Sequence, residues 1–82
     1  MNDQDARDLV LQTLLDVAPE LDGETLDEDA SLRDGADLDS MDFLAFVAAI
    51  ADAIGADIPE SDYPRLDGIA KAAGYVAERA RG

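Results

Sequence analysis

The sequence predicts an all-α fold: a small bundle of three principal helices plus a short third segment before the last one, with a long loop between the first and second helices. Three observations predict it. Apolar residues recur at 3.6-residue spacing in three separate stretches. Helix-start and helix-stop residues bracket those stretches. No stretch alternates with the period of two that a half-buried strand requires. The 82 residues are read as one domain, 1–82, at the low end of what folds without disulfides or a structural metal.

The first helix is predicted from about Asp5 to Val17, with Asp3 as its cap. Ala6, Leu9, Val10, Leu14 and Val17 form its apolar stripe, and Pro19 lies just past its end. Next comes "PELDGETLDEDASLRDGADLD", an acidic stretch interrupted by Leu21, Leu26, Leu32 and Leu38. A loop of about 20 residues is long for a compact domain, so these leucines are expected to pin it to the core. The second helix has the clearest start: Asp39 fits the N-cap and Asp42 follows three residues later, in a relative of the capping box. Phe43, Phe46, Val47, Ile50 and Ile54 make its core stripe, and Gly55 marks its end. "DIPESDYPRL" holds two prolines and one short helical turn. The last helix is predicted over about Asp67 to Arg79, with Ile69, Ala72, Ala73 and Val76 on one side. Arg79 and Arg81 fall at its C-terminal end, where the helix dipole favours cations.

Composition narrows the function. Twenty acids against six bases give a net charge of −14. That field disfavours nucleic acid and anionic membrane and steers the chain toward basic partner surfaces. There is no cysteine and no histidine, which removes disulfides, thiolate metal sites and the commonest general base. The N-terminus lacks the pattern of a signal peptide, and no run reaches membrane-span length. The expectation is a cytoplasmic protein, monomeric, with no nucleic-acid partner and no membrane insertion. An EF-hand is excluded by position: with Gly35 sixth in such a loop, Ala30, Leu32 and Met41 would occupy ligand places. No metal site is expected.

Ser40 is the unusual position. With Asp39 as cap, it opens the second helix with its hydroxyl at the positive end of the dipole. Serine nucleophiles need a neighbouring base and an oxyanion site. With no histidine, and with Asp37, Asp39 and Asp42 alongside, this serine is not equipped to activate itself. It is better suited to being modified by another enzyme, since a helix N-terminus tolerates a phosphate ester. A second apolar set, Met41, Leu44, Ala45 and Ala48, lies off the core stripe directly after Ser40. It is either buried as well or a docking patch beside the serine.

The sequence resembles the acyl carrier proteins. The resemblance is carried by "LDSMDFL", 38 to 44, which matches the Asp-Ser-Leu attachment motif with Met41 in the Leu place. It continues through "DIP", which mirrors the Ile-Pro entry to a short third helix, and "AAGYVAERA", with Tyr75 at the aromatic position of the last helix. By that resemblance Ser40 carries a covalent 4'-phosphopantetheine arm, placed there by a phosphopantetheinyl transferase. The arm's thiol then holds an acyl group as a thioester, so the chain needs no cysteine and is itself no enzyme. The resemblance further implies that Asp39, Met41, Asp42, Leu44 and Asp52 meet partners, namely the transferase and acyl-loading and acyl-transfer enzymes with basic docking surfaces.

Two features depart from the fatty-acid carriers of the family. Leu38-Asp39 intervene to give "GADLDS", and alanines at 45, 48, 49 and 51 replace most acids along the second helix. Both point to a specialised carrier rather than a housekeeping one. Fatty-acid, polyketide or specialised lipid synthesis, and aminoacyl, peptidyl or D-alanyl cargo, all remain open from the sequence. The alternative from another class is an acidic interaction or inhibitor protein with no prosthetic group. It accounts for the charge but not for the Ser40 junction.

Overall fold

The computed structural model describes residues 2–21, 27–35 and 38–81. Helix α1 spans Asp3–Val17, a 3-10 turn follows at Pro19–Leu21, and α2 is a single turn at Leu32–Gly35. Helix α3 spans Ser40–Ile54, a 3-10 segment covers Glu60–Leu66, and α4 spans Ile69–Arg81. The fold is all-helical, as predicted, with no strand among the described residues.

α1 packs chiefly against α4 and secondarily against α3, and the 3-10 segment leans on α4. Ala6, Val10 and Leu14 of α1, Phe43, Phe46, Val47 and Ile50 of α3, and Ile69, Ala72 and Val76 of α4 are buried in one cluster. Leu9, Val17, Ile54 and Ala73, also placed on core stripes by their spacing, are only partly buried at its margin. Spacing missed Tyr75 and Ala77, which are buried too, and Tyr75 is the largest fully enclosed side chain.

Two boundaries differ from expectation. Asn2, not Asp3, caps α1: its Oδ1 accepts the Asp5 N–H at 2.8 Å, which frees Asp3 to begin the helix. α4 starts at Ile69 rather than Asp67. Asp67 caps the preceding 3-10 segment, and the α4 Ala70 N–H donates to the Glu28 carbonyl at 3.0 Å. The loop therefore supplies an acceptor that α4 does not find in its own flank. Gly68 sits at this crossing, where a Cβ would meet the Ala30 carbonyl oxygen at 3.4 Å. The predicted end of α3 holds. Gly55 adopts φ +66°, the left-handed conformation that side chains resist, and its N–H returns to the helix's last carbonyls.

The long loop is tied down as expected, and more strongly. Leu21, Leu32 and Leu38 are buried; Leu26 lies outside the described residues. Arg7 grips Glu28 with two hydrogen bonds, at 2.7 and 2.8 Å. That pairing pushes the Arg7 guanidinium up and holds Glu28 below the usual carboxylate range, through the hydrogen bond first and charge second. The Leu38 N–H donates to the Leu32 carbonyl at 3.2 Å, which folds the end of the loop back beside α2.

Candidate functional site

α3 begins where the sequence places it. Asp39 has extended backbone, and its carboxylate accepts the Asp42 N–H at 2.8 Å. Asp42 contributes that N–H to the cap. This leaves Ser40 exposed at the first helical position, three residues before Phe43, the first buried residue of α3.

Beside Ser40 lies a cleft of about 310 Å³, lined by Arg33, Phe43, Leu44, Glu60, Tyr63 and Pro64 as well as the serine. Each wall has a local cause. Arg33 arrives on α2, drawn toward α3 by the Leu38–Leu32 hydrogen bond. Its guanidinium rests over the Phe43 ring, 5.0 Å from the centroid. Phe43 in turn meets Tyr63 edge-on at 6.4 Å, one of the favoured aromatic geometries. The far wall is the 3-10 segment. Pro64, whose ring would clash in an α-helix with the carbonyl four residues back, sits inside Glu60–Leu66, and that segment takes the tighter form.

Two anchors hold those walls. Asp67 accepts from the Ser31 hydroxyl at 2.8 Å, from the Arg33 N–H at 3.2 Å and from the Arg33 guanidinium at 3.4 Å. Burial pushes this carboxyl up, but Ser31 and Arg33 outweigh it and hold it below the usual aspartate range. Asp62 accepts from the Tyr75 hydroxyl and from Arg79, both at 2.8 Å. The Tyr75 bond, and then Arg79, lower the Asp62 carboxyl against the opposing effect of burial. Burial, and then Asp62, push the Tyr75 phenol up. The enclosed aromatic of α4 therefore has its polar tip satisfied by the 3-10 segment, which fixes Glu60, Tyr63 and Pro64 opposite Ser40.

The second apolar set is exposed. Met41 is 80% accessible and Leu44 50%, and Ala45 and Ala48 are exposed with them. This row continues to a groove of about 490 Å³ at the end of α3, lined by Ala48, Ala51, Asp52, Gly55, Ala56 and Asp57. Of the predicted partner-facing residues, Asp39, Met41, Leu44 and Asp52 are exposed and Asp42 is half-buried. Asp52 lies at the far end of the helix from the other four. Sequence reasoning missed Arg33, Glu60 and Tyr63 as neighbours of Ser40. They come from two other elements, Arg33 from α2 and Glu60 and Tyr63 from the 3-10 segment, and no spacing along the chain places them beside Ser40.

The family model described as "Phosphopantetheine attachment site" matches residues 8–76. The chain belongs to the acyl carrier protein family. An "Acyl carrier protein" of Lactobacillus johnsonii is 30% identical over 56 residues, covering 68% of this chain and 70% of that protein. No solved structure matches the chain significantly. Family membership makes the protein a carrier rather than a catalyst, with covalent phosphopantetheine as its cofactor. It also implies two kinds of partner, a phosphopantetheinyl transferase and acyl-transfer enzymes. Among the described residues no helix of the carrier is long and apolar enough to cross a membrane.

The site fits that cofactor. An arm needs an exposed hydroxyl on firm backbone, which the capped start of α3 supplies. The phosphodiester carries an anion, which helix N–H groups and the nearby Arg33 favour. The cleft offers aromatic and apolar surface on which the arm's neutral part can lie.

Proposed function

We propose that Ser40 is the attachment residue and that the protein is a specialised acyl carrier, with 1–82 acting as one acyl-carrier-like domain. The single observation that supports the assignment best is an exposed serine at the capped start of a helix, beside a cleft with a cation and two aromatic rings. When bound, the phosphopantetheine group supplies a thiol that holds the acyl chain as a thioester. The polypeptide presents and orients it. In the attachment step the Ser40 oxygen bonds to the phosphorus nearer the pantetheine in coenzyme A. The bond from that phosphorus to the adenosine bisphosphate breaks, and the serine proton passes to a base on the transferase.

Partner binding divides between charge and apolar contact. Asp39, Asp42 and Asp52 steer basic partner surfaces toward α3, an effect that weakens as salt rises. Met41 and Leu44 supply short-range affinity beside the serine. Methionine suits a surface that serves several partners. The alanines of α3 leave fewer charges for a partner to read than an acid-rich helix offers, which supports the specialised assignment. The high like charge of the chain favours a monomer.

The test is intact mass after coexpression with a phosphopantetheinyl transferase. Wild type should gain the mass of one arm and Ser40→Ala none, with Ser31 and Ser61 untouched in both. Gain of the arm by Ser40→Ala overturns the assignment. An unmodified wild type favours an acidic interaction protein instead.

A further inference from the structure

The geometry points to Arg33 as the counter-charge that holds the phosphodiester of the loaded arm, a role that rests on attachment at Ser40 as proposed above. Among the described residues, Arg33 is the only cation lining the cleft that opens at Ser40, and Glu60 is the acid there. Asp39 and Asp42 flank the serine along the chain. A phosphodiester placed on Ser40 thus adds an anion to an already acidic neighbourhood, in a chain with net charge −14. The N–H groups at the start of α3 offset part of that cost, and a nearby cation offsets more of it.

Arg33 is built to answer it. Its guanidinium is half exposed, and its contact with Asp67 is 3.4 Å. A well-formed charge-assisted bond runs about 2.7–2.9 Å, as the 2.7 Å Arg7–Glu28 and 2.8 Å Arg79–Asp62 pairs do here. Arg33 is therefore under-committed. Its flat face already rests on Phe43, which lines the same cleft, so the aromatic ring acts as a platform on which the guanidinium can turn. Turning toward Ser40 does not strand Asp67, which keeps the Ser31 hydroxyl at 2.8 Å and the Arg33 backbone N–H at 3.2 Å. The planar fork of arginine suits two phosphate oxygens at once, which a lysine does not reproduce. Loading then tightens α2 against α3 through the new contact.

The test compares apo and loaded forms of wild type, Arg33→Gln, Arg33→Lys and Lys71→Gln at low ionic strength. Intact mass establishes loading at Ser40. The Arg33 Nε–H resonance and thermal melting report on the contact. Lys71 is exposed on α4 and controls for loss of one positive charge elsewhere. On loading, the Arg33 Nε–H of wild type should shift, while melting changes little in wild type and Lys71→Gln. Loading should lower the melting point of Arg33→Gln by about 2–5 °C relative to wild type, with Arg33→Lys in between. An unmoved Nε–H resonance in fully loaded wild type overturns the role without needing any variant. So does the same loading shift in Arg33→Gln as in Lys71→Gln. Absence of added mass on wild type overturns the attachment assignment itself, and this role with it.

Discussion

Phe46 and Leu44 stand two residues apart on α3, and their substitution should separate folding from partner binding. Phe46 is fully enclosed among side chains of the core. Truncation to alanine removes a buried ring and leaves a cavity, at a cost of about 3–5 kcal/mol. At the usual 0.05–0.15 kcal/mol per residue, a chain of this length has a total stability of about 4–12 kcal/mol. Phe46→Ala thus removes from a quarter to all of it. The melting point should fall by roughly 12 °C or more, or the domain should unfold outright. Leu44 is 50% accessible, so about half of a leucine's burial value, ~1 kcal/mol, is at stake in the fold. A partner that covers the other half gains a similar amount, and a glutamate there adds a desolvation cost. Leu44→Glu should therefore keep its helical circular dichroism while kcat/KM for transfer of phosphopantetheine to the protein drops by about tenfold or more. The assays are thermal melting by circular dichroism and transferase kinetics followed by intact mass. Leu44→Glu melting as low as Phe46→Ala, or transfer unchanged in Leu44→Glu, would refute the division between core and docking faces.

Net charge of −14 on one small chain should make stability depend on screening: moderate salt or millimolar divalent cations should raise the melting point, and a flat or falling trend would show that repulsion is not limiting. Acid should act in two phases. Modest acidification reduces the repulsion and raises the melting point, whereas Asp62, Asp67 and Glu28 are held below their ordinary range in the fold. Their contribution is present above the unfolded-state pKa and is lost as pH falls through the lower folded values, so melting should decline below about pH 4. Gly74 is exposed inside α4, and a methyl group added there meets nothing within 4 Å. Gly74→Ala should accordingly stabilise by about 0.5–1 kcal/mol, read as a higher midpoint in urea; a lower midpoint would mean that the helix surface is more crowded than it looks.

Much of this protein was legible in the chain because its signals are local. Asp39 capping at one end and Gly55 turning left-handed at the other fix α3 by short-range hydrogen bonding and backbone sterics, so Ser40 falls at the first helical position whatever the rest does. The stripe through Phe43, Phe46, Val47 and Ile50 decides which face of α3 is buried, because helical periodicity is set within two turns. The fate of the other face was open: Met41 and Leu44 are apolar whether covered or bare, and only the placement of α1, α4 and the loop leaves them in solvent. The same holds for Asp67. Its sequence context allowed a helix start, but Ser31 and Arg33, more than thirty residues earlier, draw its carboxylate into the clasp. The cleft is of this kind as well. Arg33, Phe43 and Tyr63 come from three elements, and no spacing along the chain encodes their meeting. Local chemistry determined where the serine stands; the docking of distant segments, through hydrogen bonds and burial that exist only in three dimensions, decided what surrounds it.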